Sequence, residues 1–219
     1  MILKDIYLYP ELTEYDVAVT SKFKEQTRFL CNFLGRYIKS AKVKCEKYNR
    51  VCIVCRETPS LVSYINSSGV LRVEVFFDVK EYLNKKFDDL NEYFISLVID
   101  GVNKCDDISL PKEMIIKGID LFRTEGYKNE WVFKSKSFNR HGLKVILKCS
   151  LTMNNFFLDL YVMKNKNVIF YENVKKNYPE EVVFGYHLKD LIVQDDGDVE
   201  VIDRLGRVIY KKNISYLVV

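Results

Sequence analysis

Cys52-Ile-Val-Cys55 is the one C-x-x-C in the chain and the first place to look for metal or thiol chemistry. A zinc ribbon needs four thiolates or imidazoles converging at about 2.3 Å, usually from two such knuckles on tight turns. Here a single knuckle, with Cys31 and Cys45 as distant helpers, lies in a β-branched run where residues three apart point to opposite faces. A redox pair would sit at a helix N-terminus, which lowers the thiol pKa. Cys52 and Cys55 are therefore read as packing residues of a strand. Glu74, Asp78 and Lys80 follow the acid, acid-x-lysine order of metal-dependent nucleases, in which carboxylates hold a divalent cation and lysine steadies developing charge. Asp78 with Glu81 three residues on also reads as a helix cap, which accounts for the same residues with less. His141, in Asn139-Arg-His-Gly142, and His187, after Phe184-Gly-Tyr, are the only imidazoles. Either can meet Cys149 in space as a nucleophilic pair, but neither has a local signature of one, and both read as turn or surface histidines.

The acidic doublets Asp88-Asp89, Asp106-Asp107 and Asp195-Asp196 lack calcium-loop spacing, and both glycine-rich phosphate loops are absent. With two histidines and nine glycines set against 14 phenylalanines and 15 tyrosines, the chain reads as non-catalytic, with no cofactor and no metal. Its excess is aromatic, β-forming surface among lysines. Lys134, Lys136, Lys144 and Lys148, with Phe157, Tyr161, Phe170 and Tyr171, form a surface able to stack bases and bind phosphates. Lys134 and Lys136 nevertheless share a parity that leaves Trp131 and Phe133 on the other face, the core-in, solvent-out pattern of a sheet covered on one side. A net charge of +4 also falls short of the concentrated field of a dedicated nucleic-acid binder.

The elements that must position these residues are legible from periodicity. Leu3–Tyr9 alternates as a strand stopped by Pro10, and Ser21 to about Glu46 carries an amphipathic stripe through Phe23, Leu30, Leu34, Tyr37 and Ala41. Arg50–Arg56, Leu61–Asn66 and Val70–Phe77 read as short strands. One helix is expected after Asp78, with Leu83, Phe87, Leu90, Phe94 and Leu97 on a single stripe and its end at Gly101 or Asn103. Another starts near Ser109-Leu-Pro111 and stops at Gly126. Beyond Gly126 the period becomes 2: Glu130–Phe138, Leu143–Leu151, Phe156–Lys164 and Val168–Tyr171 make an antiparallel meander. A link over Asn173–Lys189 leads to a last set of short strands turned at Asp195-Asp-Gly197 and Arg204-Leu-Gly206.

The fold class expected is α+β, an antiparallel meander in the C-terminal half packed with two or three amphipathic helices from the N-terminal half. The expected organisation is a single domain over 1–219, divisible into a helix-rich 1–108 and a β-rich 109–219, with Gly126 as the other place for a cut. The N-terminus lacks the pattern of a signal peptide and no apolar run approaches the ~20 residues of a membrane span. A cytoplasmic location, no membrane partner and reduced cysteines are expected.

The opening Lys4-Asp-Ile-Tyr-Leu-Tyr-Pro-Glu-Leu-Thr13 and the segment Gly126-Tyr-Lys-Asn-Glu-Trp-Val-Phe-Lys134, followed by the lysine-rich meander, resemble bacterial immunity proteins of polymorphic toxins, including those of contact-dependent growth inhibition. The resemblance implies a non-catalytic protein that covers the active site of a cognate toxin domain, a nuclease in many cases. It carries no catalytic residue over. Toxin nucleases are commonly basic and their inhibitors acidic, so a chain of net positive charge would bind through local patches. The candidates are the acidic run Asp195, Asp196, Asp198 and Glu200, the run Asp88–Glu92, and the sheet residues Tyr161, Lys144 and Lys148. The alternative expectation is a nucleic-acid-binding module on the lysine and aromatic sheet face.

Overall fold

The computed structural model describes residues 1–138 and 142–218. The chain is α+β, with most helix in the N-terminal half and antiparallel sheet in the C-terminal half. It separates into two compact units, Met1–Asn129 and Glu130–Val219.

In the first unit, strand β1 (Asp5–Pro10) leads through helix α1 (Val17–Ala41) into β2 (Arg50–Arg56), the two-residue β3 (Tyr64–Ile65) and β4 (Val70–Phe76). The sheet order is β1-β2-β4-β3, and both β1–β2 and β2–β4 pair in parallel. Parallel pairing explains why the central strand Val51–Cys55 is buried on both faces while its neighbours alternate. Helices α2 (Val79–Asn84), α3 (Leu90–Lys104) and α4 (Lys112–Thr124) follow. α1, α3 and α4 pack together: Phe23 of α1 meets Phe94 of α3 at 5.2 Å, and Phe33 of α1 meets Phe122 of α4 at 4.9 Å. Within this unit α1 packs against β1, and α3 against β2 and β4. A Cβ on Gly101 of α3 would lie 2.8 Å from Ile53 of β2, so this glycine lets helix and sheet close on each other; it does not end the helix, which runs on to Lys104.

The single helix expected after Asp78 is two helices. Lys85 and Lys86 adopt extended backbone, a 3-10 turn follows over Phe87–Asp89, and α3 starts at Leu90. Two extended residues change the helical phase, so Leu83 and Phe87 leave the stripe and stand 52% and 54% exposed, whereas Leu90, Phe94 and Leu97 stay in the core. Of the strand expected over Leu61–Asn66, Tyr64–Ile65 alone pairs; Leu61 and Val62 are exposed.

Apart from Asn129, the first residue of β5, the second unit opens with the meander β5 (Asn129–Phe138), β6 (Leu143–Leu151), β7 (Phe156–Lys164) and β8 (Asn167–Asn177), adjacent in that order. Asn165 and Lys166, both at positive φ, make the two-residue turn between β7 and β8. β8 runs six residues beyond Tyr171, taking in the start of the expected link. After the short helix α5 (Glu181–Phe184), β9 (Asp190–Val193), β10 (Asp198–Ile202) and β11 (Val208–Asn213) form a three-stranded antiparallel sheet. The hairpin before β11 is closed by Asp203, fully buried, whose carboxylate accepts from the backbone N–H of Leu205 and Arg207 and from the Arg207 guanidinium. α4, which a division after residue 108 would give to the β-rich part, belongs to the first unit. Among the described residues no helix is long and apolar enough to cross a membrane.

Candidate functional site

The cysteines, Glu74 and Asp78 are engaged in holding the fold. Cys52 and Cys55 point to opposite faces of β2: Cys52 lies against the Tyr9 hydroxyl, Cys55 faces Cys31 of α1, and burial pushes both thiols up. Burial raises Cys45 and Cys105 likewise, and Cys149 lies inward on β6, wholly buried. A thiol held protonated and shut from solvent is a poor nucleophile. His187 sits in a 3-10 turn, where burial and then Lys175 hold it below the ordinary histidine value. His141 lies outside the described residues.

Glu74 and Asp78 are spent on structure. Glu74, 5% exposed, takes the Arg72 guanidinium at 2.8 Å, Arg56 at 3.4 Å and the Ser60 N–H at 2.8 Å. Arg72 also pairs with Glu11, and Arg56 with Glu14. These carboxylates and guanidinia tie the loop after β2 and the chain after β1 to the sheet, with no carboxylate edge of Glu74 left for a cation. Asp78 caps α2 through Lys80 N–H at 2.8 Å and Glu81 N–H at 3.2 Å. Among the described residues no three His, Cys, Asp or Glu side chains converge as metal ligands would.

The open face of the meander is a different kind of surface. Alternation sends Leu143, Val145, Leu147, Cys149 and Leu151 of β6 into the core, leaving Lys144, Ile146, Lys148 and Ser150 outward. The registers then build rows across the sheet: Ile146, Tyr161 and Tyr171; Lys148, Asp159 and Asn173; Lys144, Met163 and Val168. The Tyr161 and Tyr171 rings are 5.1 Å apart, and Tyr171 is 54% exposed. Asp159 is held in mid-face by the Tyr171 hydroxyl at 3.2 Å and Asn173 Nδ2 at 2.7 Å. Burial and then the Asp159 charge raise the Tyr171 phenol. Lys148 pairs with Glu130, and Lys134 with Asp190 at 3.3 Å. The structure thus brings three of the expected contact residues, Tyr161, Lys144 and Lys148, to one face.

It places Asp195, Asp196, Asp198 and Glu200 elsewhere, on the β9–β10 hairpin. There Lys211 of β11 takes both Asp198 at 2.7 Å and Glu200 at 3.0 Å across the β10–β11 pair, and Asp196 closes the turn by accepting the Asp198 N–H. Periodicity missed Asp159 and Asn173 as members of the face. Asp159 breaks an otherwise apolar strand, Phe156–Val162, and that interruption was the available signal.

In the first unit a groove of about 830 Å³ runs beside Tyr37 and Ile108; of its acids, Asp106 accepts from Ser63 in the loop after β2 and Asp107 from Ser109 in its own loop. A second groove, of about 560 Å³, lies between the end of β4, α2 and α3 and is lined by Asp78, Glu81, Asp88, Asp89, Glu92 and Asp100. No family model, curated protein or solved structure matches this chain.

Proposed function

We propose that the chain is a non-catalytic binding protein that neutralises a toxin domain by covering its active site, with the outward face of β5–β8 as the contact surface. The observation that carries this reading is the row Ile146, Tyr161 and Tyr171 at the middle of an open sheet face, flanked by Lys144, Lys148 and Asp159. Tyrosine buries large area at low entropy cost and is enriched where a few residues carry most of an interface's energy. A face of mixed charge around aromatic anchors suits a protein partner. A phosphate backbone would find Lys148 and Lys134 already paired.

The test is co-expression with the product of the gene immediately upstream, scored by co-purification and by protection of the host from that product. Tyr171→Ala combined with Ile146→Asp is expected to weaken the complex by about tenfold or more. Retained affinity in that variant, or no complex at all, removes the reading. Salt-sensitive retention on single-stranded RNA, lost on Lys144→Glu, would instead support the nucleic-acid module.

A further inference from the structure

The groove between β4, α2 and α3 runs against the charge of the chain that contains it. In a protein of net +4, six of its lining side chains are carboxylates and one, Lys85, is a cation. Part of that negative charge is answered within the fold: Glu81 pairs with Lys85 at 2.8 Å, Glu92 with Arg123 at 2.7 Å, and Asp78 caps α2. Asp88, Asp89 and Asp100 are exposed and have no ion-pair partner among the described residues. Carboxylates gathered in a concavity with a low-dielectric wall focus a field that draws cations.

The groove is not only acidic. Phe76 lines it and is 62% exposed, and Tyr93 forms part of its wall. The break at Lys85–Lys86 turns Leu83 and Phe87, on either side of it, out to solvent. Lys85 shows what the groove does to an ammonium group: its Nζ lies 5.2 Å from the centroid of the Tyr93 ring while bonded to Glu81. Carboxylate and aromatic face together grip one cation, and the unpaired aspartates beside it have the same chemistry to offer. A bare divalent ion would make no use of Phe76.

We propose that this groove is a docking site for a basic segment of a partner protein, one presenting lysines or arginines beside an apolar side chain. The charge of the groove selects the cations, and Phe76 takes the apolar neighbour. The site belongs to the first unit and stands independently of the meander face proposed above.

The experiment uses the full chain and a fluorescein-labelled amphipathic lysine–leucine peptide, with oligolysine of equal charge and magnesium chloride as the other probes. Saturable binding of the lysine–leucine peptide is expected, with amide NMR shifts confined to the lining residues. Asp88→Lys with Asp89→Lys should weaken it by about tenfold or more, since it replaces attraction by repulsion at two positions. Phe76→Ala should weaken the lysine–leucine peptide and leave oligolysine unchanged. Asp88 and Asp89 make no ion pair among the described residues but stand at the N-terminus of α3, so the double variant should keep a single cooperative urea transition at a slightly lower midpoint, which separates lost binding from lost structure. Binding that survives the charge reversal, equal affinity for both peptides, or magnesium-induced shifts at these residues with no peptide response would overturn the proposal. Loss of peptide binding alone leaves the toxin reading untouched, and Lys144→Glu, on the meander, should not alter the peptide's affinity.

Discussion

Glu74 shows how a residue with catalytic credentials in sequence becomes a structural one. Burial alone would raise its carboxyl, but the Ser60 N–H and the Arg72 and Arg56 guanidinia outweigh burial and hold it below the ordinary glutamate value. A carboxyl lowered on folding contributes stability above its unfolded value of about 4.3, and that contribution is lost as pH falls through the folded value. Glu74→Gln should therefore cost about 2 kcal/mol at pH 7, less than a fully buried pair because both guanidinia are partly exposed. The gap to wild type should shrink by pH 3.5. Urea midpoints at the two pH values check this, and a gap independent of pH would refute it. Gly101→Ala tests the close approach of α3 to Ile53. Better helix propensity is set against a Cβ 2.8–2.9 Å from three side-chain carbons of a buried isoleucine, and a net loss of about 1 kcal/mol is expected in the same measurement.

Among the elements, short-range signals read true. Arg50–Arg56 is β2 residue for residue, α4 begins one residue after Pro111, and Gly126 follows it at φ +68°. Legibility failed where a neighbour decided the outcome. Parallel pairing of β1, β2 and β4 has no local signature beyond the unbroken apolar run Val51–Cys55, which a buried antiparallel strand would share. The stripe through Leu83 and Phe87 was continuous in sequence, yet the chain breaks at Lys85 and restarts with a new phase, and this break opens the acidic groove. The short α2 depends on its cap: Asp78→Ala should cost about 1 kcal/mol and speed amide exchange over Lys80–Asn84. Unchanged exchange there would show that α2 is held by packing alone. The meander face was half legible. Parity assigned Lys144 and Lys148 outward, whereas the register that sets Tyr161 beside Tyr171 needed the paired strands.

At the scale of the whole molecule, each unit has a core of its own: Phe23, Phe94 and Phe122 in the first, Leu147, Phe156 and Leu160 in the second. Residues 1–129 expressed alone are expected to unfold in one cooperative urea transition, with Asn129 retained because its side chain bonds Phe29 O and Asn32 Oδ1 of α1. A broad, non-cooperative transition would show that the first unit does not fold without the second. The sequence by itself determined the α+β class, most element positions and the scarcity of catalytic parts, because periodicity, caps and turns are local and composition needs no geometry. The tertiary structure alone decided which charges remain available. It tied Asp198 and Glu200 to Lys211, fixed Glu74 between two arginines, and left Asp88, Asp89 and Asp100 without an ion-pair partner among the described residues. Pairing of charges depends on which strands and helices become neighbours, and that is set by packing between residues far apart in the chain.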